Sequence, residues 1–328
     1  MNFNILGFIS AAVTAGIPIL FGTSGEMLTE KSGHLNLGVE GLMYMGGAFG
    51  LIGTYMYQKT AGESALPWLA VIIALCTAFL FGMLGSLIYS FLTVSLRVNQ
   101  NVTGLALTIF GTGLGKFACE LMRVKEGGQI FIQNYLRTAF SGPIFPAAMQ
   151  NIPVLGKLLF SYNVFVYLGI AMAIALHIFI TKTRKGLYLQ AVGESPATAD
   201  AAGINVVKYK YLATVIGGGI SAMGGIVYVM TTAGTVWSPH TLDGKGWISV
   251  ALVIFCLWSP AKAIWGSLLF GALNLLYLWL PTKYIPTQIY QIVPYIVTVL
   301  VLILVSIRQR REDQPPAALG LAYFREER

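Results

Sequence analysis

The polar residues that could do chemistry in this chain are set into otherwise apolar sequence. The stretch LNLGVEG places Asn36 and Glu40 four residues apart among glycines. That spacing puts both on one face if the piece is helical. Two readings follow. A helix broken here would line a solute path with exposed backbone and polar groups. Alternatively the piece is a polar helix start at an interface, with Glu40 supporting the fold. Asn99, Gln100 and Asn101 form a second polar knot. Asn101 is a candidate path residue, and a capped helix start is the plainer reading. In DGKGW, Asp243, Lys245 and Trp247 could rim a vestibule, although tryptophan also anchors helices at interfaces. His177 lies alone in an apolar run, where packing is the ordinary role. Trp237, Trp247, Trp258, Trp265 and Trp279 could stack on a flat ligand or form interfacial belts.

Enzyme chemistry is missing from this inventory. The sequence has no HExxH, GxSxG or GxxxxGK[ST] motif and no metal-ligand cluster. Cys76, Cys119 and Cys256 have no CxxC spacing and imply neither a disulfide framework nor a metal site. No residue here is expected to make or break a covalent bond. If the chain moves a solute with ATP, the nucleotide and its magnesium belong on another polypeptide, so no cofactor is expected in this chain. No intramembrane series of Asp, Glu and His suggests ion coupling, which weakly disfavours a transporter acting alone.

The strongest local signal is a polar island, Thr181 to Lys210, between two apolar runs. Lys182, Arg184, Lys185, Lys208 and Lys210 are its basic residues, and Glu194 and Asp200 its acids. Inside it, Ser195 can cap a helix, Pro196 suits the first helical position, and Gly203 can take the left-handed stop. Such a short helix between basic flanks suits docking onto a cytoplasmic partner. An ordinary loop is the alternative.

Composition sets the class of element that must position these groups. The chain of 328 residues is 56% hydrophobic and 10% charged, against about 25% charged in soluble domains. It reads as an all-α polytopic membrane protein of about nine transmembrane helices, with broken or short helices near the path. A span needs about 20 apolar residues. Candidates run Phe3 to Gly22, Gly22 to Gly50, Pro67 to Leu96, Val98 to Ala118, Tyr162 to Ile180, Tyr211 to Thr231, Trp247 to Trp258, Ala263 to Leu280 and Pro286 to Ile307. The seventh has twelve residues, too few for a straight span. The first reads as a retained span rather than a signal peptide. Residues 1–307 thus form a membrane domain and 308–328 a polar tail. Net charge is +8. It reflects Lys and Arg in loops and tail, the positive-inside pattern, and not a nucleic-acid surface. The island and Arg308, Arg310 and Arg311 go to the cytoplasm, and the 120–161 connection goes outside. Arg123, Lys125, Arg137 and Lys157 in that outer loop pull the other way.

Three stretches resemble one family in order along the chain. GEMLTEKSGHLNLGVEGLMYMGGAFG, AVGESPATADAAGI and GKGWISVALVIFCLWSPAKAIWGSLLFGALN look like signatures of ABC permeases for nucleosides and simple sugars, and the ending PPAALGLAYFREER is similar to their tails. Cys256 departs from the pattern, which often has glycine there, and packing is the expected consequence. The resemblance implies a multi-pass importer subunit in the bacterial cytoplasmic membrane. It implies three partners: a second, paralogous permease, an ATPase of two fused nucleotide-binding domains, and an extracytoplasmic binding protein or lipoprotein. Carried onto this sequence, Gly193, Glu194, Ser195, Pro196, Ala199, Asp200 and Gly203 form the coupling segment. LNLGVEG and DGKGWIS become broken elements near the path, one in each half. Nucleosides are the expected cargo and a pentose or other simple sugar the alternative. An ion-coupled secondary transporter is the rival of another class.

Overall fold

The computed structural model describes residues 4–242, 244–279, 286–308 and 314–324. Within them the chain is helical: α1 (Ile5–Glu30), α2 (Val39–Ala61), α3 (Pro67–Ser90), α4 (Gln100–Glu126), α5 (Asn134–Ser141), α6 (Ala147–Gln150), α7 (Val164–Lys182), α8 (Arg184–Glu194), α9 (Pro196–Ala201), α10 (Val206–Thr231), α11 (Lys245–Phe255), α12 (Pro260–Trp279) and α13 (Thr287–Arg308). A helix stands at each of the nine expected positions, α1–α4, α7 and α10–α13. Six of them, α1, α3, α4, α7, α10 and α12, are long and apolar enough to cross a membrane. Phe3, Asp243, Leu280, Arg310 and Arg311 lie outside the described residues.

Helix α10 is the centre of the bundle, with 15 of its 26 residues buried. It packs against α1, α2 and α3. Its glycines allow backbone to approach backbone. A Cβ on Gly217 would lie 2.5 Å from the Gly25 carbonyl, and one on Gly225 would lie 1.8 Å from that of Met43. Small residues of this kind let helices associate closely where no water drives them together. Outward faces of α3 and α4 carry Leu80, Leu84, Ile109 and Phe117 exposed, as suits lipid or another subunit.

The expected boundary at Gly22 is a feature the structure corrects. Helix α1 runs on to Glu30, because Thr23 to Glu30 is buried inside the bundle and keeps its intrahelical bonds. The island is another. It is almost wholly helical, with α8 preceding the short capped helix. Thr183 caps α8 by accepting from Gly186 N–H at 3.0 Å. Gln190 then donates to the carbonyl of Ile180 at 2.7 Å, which folds α8 back on the end of α7.

Helix α11 explains the short seventh segment. Ser249 near its start donates to the carbonyl of Ile19 on α1, and Trp258 just past its end donates its indole N–H to Glu30. It therefore lies alongside the second half of α1. Eleven residues rise about 16 Å, roughly half of a 30 Å hydrocarbon core. Leu257 and Trp258 turn the chain with positive φ of 54° and 53° before α12 begins.

Candidate functional site

Two groups of candidate residues converge on one end of the bundle. The first is the coupling segment. Ser195 caps α9, accepting from Thr198 N–H at 3.4 Å and pairing with the Thr198 hydroxyl at 2.8 Å. Pro196 occupies the first turn, and Gly203 closes the helix with φ of +83°. The other members face different ways. Ala199 is buried in a cluster with Val192 and Val206, so it seats the helix rather than offering a surface. Gly193 is buried at the end of α8, where a Cβ would lie 2.4 Å from the carbonyl of Lys31. Asp200 is half-buried and accepts from the Tyr323 hydroxyl at 2.8 Å. Glu194 is exposed.

The exposed surface of α9 is made by Ala197, Thr198, Ala201 and Ala202. Sequence reasoning named the helix but not these positions. Helical period was the available signal, since 197/201 and 198/202 stand on the sides away from Ala199. Such a small, smooth ridge can enter a groove without long side chains to reorder. Behind it lies an apolar groove of about 750 Å³ between α7, α8 and α10, rimmed by Lys185 and Lys208.

The second group is the break between α1 and α2. Asn36 and Glu40 do not share a helical face, because residues 34–36 are irregular and α2 starts at Val39. Asn36 is fully buried. Its Oδ1 accepts from Gly38 N–H at 2.8 Å, and its own N–H donates to Glu26 at 2.9 Å. Leu35 N–H donates to Gln100 Oε1 at 2.8 Å, the Leu35 carbonyl accepts from Tyr89 at 2.7 Å, and the Leu37 carbonyl accepts from Thr108 at 2.9 Å. The irregular backbone is thus satisfied by side chains, as buried backbone outside a helix must be. At the near edge, burial lowers the pKa of Lys31, and the carboxylates of Glu194 and Glu30 partly restore it.

Glu40 joins the halves of the chain. It is buried, and its two carboxylate oxygens accept from Gly244 N–H at 2.8 Å and Gly246 N–H at 2.6 Å. These are the orphan donors at the start of α11. A carboxylate there satisfies them and meets the positive end of the helix dipole. Gly246 is required by this approach, since a Cβ would lie 2.3 Å from the Glu40 Cα. Lys245 reaches Asn274 at 3.1 Å. Trp247, in the same turn, is 38% exposed.

The remaining candidates separate. In the NQN knot, Asn99 caps α4 by accepting from Val102 N–H at 3.1 Å, and Gln100 is the buried member that holds the break. Asn101 is exposed. Trp258 is buried on Glu30 and Trp237 meets Tyr44 edge-on at 6.0 Å, while Trp265 is 75% exposed. His177 is half-buried in α7. Cys256 is buried against the position of Gly266, the packing role expected of it.

Membrane-length helices, a backbone break held by side chains and a half-length helix define a multi-pass membrane protein of the transport type. The particular family follows from comparison. The chain belongs to the family described as "Branched-chain amino acid transport system / permease component", which matches residues 8–302, and it is an ABC transporter permease. It is 34% identical over 292 residues to the nucleoside ABC transporter permease protein NupC of Lactococcus lactis, covering 88% of both chains. It is 32% identical to the guanosine ABC transporter permease protein NupQ of Bacillus subtilis, covering 90% of both. A putative glucose ABC transporter permease protein, TsgC13 of Haloferax volcanii, is 33% identical over 83% of this chain and 77% of its own length.

Proposed function

We propose that this chain is one permease subunit of an ATP-driven importer in the bacterial cytoplasmic membrane and that its cargo is a nucleoside. The observation that carries the cargo is near-full-length similarity to two permeases named for nucleosides and guanosine. A simple sugar is the second reading, favoured by the putative glucose permease at 33% identity.

In this reading α9 sits in a groove of a cytoplasmic ATPase of two fused nucleotide-binding domains, which holds the ATP and magnesium. Exposed Ala197, Thr198, Ala201 and Ala202 make the contact, and buried Ala199 and Gly193 keep it in place. Loop 181–210 and the C-terminus are then cytoplasmic. A second, paralogous permease completes the pathway, and an extracytoplasmic binding protein or lipoprotein delivers the solute. ATP-driven closure moves α9, and the bundle exchanges between two arrangements that open to opposite sides. In this reading the elements that answer are the break around Asn36, the Glu40 clamp and the start of α11 with Trp247; Asp243, the remaining path candidate of that stretch, lies outside the described residues. Asn101 is an outlying path candidate. Trp247 offers a flat face to a base.

The test is uptake of radiolabelled guanosine in cells with and without this chain, with excess cold adenosine, ribose and galactose as competitors. Loss on deletion, with competition by adenosine alone, supports the nucleoside reading. Competition by sugars moves the cargo to the second reading. Uptake that survives ATP depletion but collapses with the ion gradient refutes the ABC mechanism in favour of a secondary transporter.

A further inference from the structure

The segment 314–324 is folded onto the candidate site. Pro316 to Leu321 forms two consecutive turns, with Leu319 N–H donating to the Pro316 carbonyl at 3.0 Å and Leu321 N–H to that of Ala318 at 3.1 Å. One side of this unit binds the coupling helices. Ala318 N–H donates to the Gly193 carbonyl at 3.0 Å, Ala317 N–H to Glu194 Oε2 at 3.3 Å, and the Tyr323 hydroxyl to Asp200 at 2.8 Å. The Tyr323 ring packs on the cluster of Val192, Ala199 and Val206. Its other side binds the break. Gly320 N–H donates to the Gly33 carbonyl at 3.2 Å, and Gln100 Nε2 donates to that of Leu321 at 3.4 Å. The Arg97 guanidinium lies 4.6 Å from the centre of the Phe324 ring.

Gln100 makes the arrangement more than a covering. Its amide oxygen accepts from Leu35 in the break while its amide nitrogen reaches the tail. One buried side chain therefore ties the tail to the backbone that a transport cycle must rearrange. Small or polar surface residues need no such partner. Contacts to the coupling helices on one side and to the break and the start of α4 on the other hold the tail on both faces.

We propose that residues 315–324 are a strap that positions α9 against the α1–α2 break and carries its displacement there, with Tyr323 as the positioning residue on the side of the coupling helix and Gln100 on the side of the break. The strap works beside the direct contact of Gly193 with Lys31. The inference rests on reading α9 as the contact with the ATPase. Tyr323 touches neither solute nor nucleotide and acts through Asp200.

The experiment uses the complete transporter, with partner permease and ATPase, in nanodiscs. Amide exchange of the peptide spanning 31–40 is followed by mass spectrometry before and after trapping with ATP and vanadate. Variants are Tyr323→Phe, Asp200→Ala, their double, Asp200→Asn, and a chain ending at Gln314. In the unaltered protein, trapping should change exchange in the break. In Tyr323→Phe and Asp200→Ala that response should fall about tenfold, the weight of one hydrogen bond to a charged group. The double variant should be no worse than either single one, and Asp200→Asn, which keeps an acceptor, should respond. A wild-type response in Tyr323→Phe or in the shortened chain overturns the strap, as do additive effects of the two single changes or no response in the unaltered protein. Should the shortened chain fail to assemble, the point variants decide. Thr198→Arg on exposed α9 tests the underlying reading. If it leaves the ATPase bound, the coupling assignment fails. If it releases the ATPase while the tail variants respond normally, only the strap fails.

Discussion

Replacing Glu40 by glutamine isolates one carboxylate that holds two helix starts together. The side chain keeps its length, so packing is unchanged. The glutamine oxygen can accept from only one of the pair, Gly244 N–H at 2.8 Å or Gly246 N–H at 2.6 Å. The other amide then faces an NH₂ group, donor to donor. A hydrogen bond to a charged group contributes about 1.5–3 kcal/mol, and a buried donor left unpaired costs about 1–3 kcal/mol. These overlap, so a net loss of about 3 kcal/mol is expected, close to two powers of ten in the opening of the first turn of α11. Amide exchange of a peptide beginning at Gly244 should accelerate by about that factor while a peptide from α1 keeps its rate. Solute uptake should fall with it, because α11 loses its fixed start. Exchange at the original rate would show that the carboxylate does not hold the start of α11.

Other outcomes follow from the same geometry. Gly217→Leu places side-chain atoms where a Cβ alone would be 2.4 Å from the Thr29 hydroxyl, and should lower the thermal midpoint and the monodisperse yield in detergent, an overpacking cost of about 1–3 kcal/mol or more. Thr198→Arg, on the exposed side of α9, should leave that midpoint unchanged and abolish co-purification of the ATPase, whereas Ala199→Glu, buried, should lower the midpoint as well. Trp258→Phe leaves a carboxylate oxygen of Glu30 without its indole partner, and differential scanning should show destabilisation of about 1–3 kcal/mol.

The helical membrane class needed no tertiary information. Twenty apolar residues in a row have only one economical way to satisfy their backbone in lipid, so Pro67 to Leu96 and Tyr162 to Ile180 could be read directly. The capped helix at Ser195, Pro196 and Gly203 was equally legible, because each residue acts within four positions of itself. Boundaries were harder. Gly22 looked like an end since GTSGEMLTE is polar, yet those residues are buried and helical. Burial against α10 outweighed their local preference. The island concealed α8 for the same reason, its apolar positions being too few to announce it.

What was legible in the sequence, then, was every property set by neighbours along the chain: the apolar segments, six of which form helices long enough to cross a membrane, and the α9 cap with its stop. The tertiary structure decided which distant residues meet. Glu40 finds the first turn of α11 from 204 and 206 positions away, Gln100 finds both Leu35 and Leu321, and the tail finds Gly193 and Asp200. These partners are mostly backbone groups, which every residue carries alike. A local cap is announced by residue type and spacing, but no side-chain pattern can advertise a pairing with a backbone N–H or carbonyl far along the chain, so only the packing of helices against one another could bring them together.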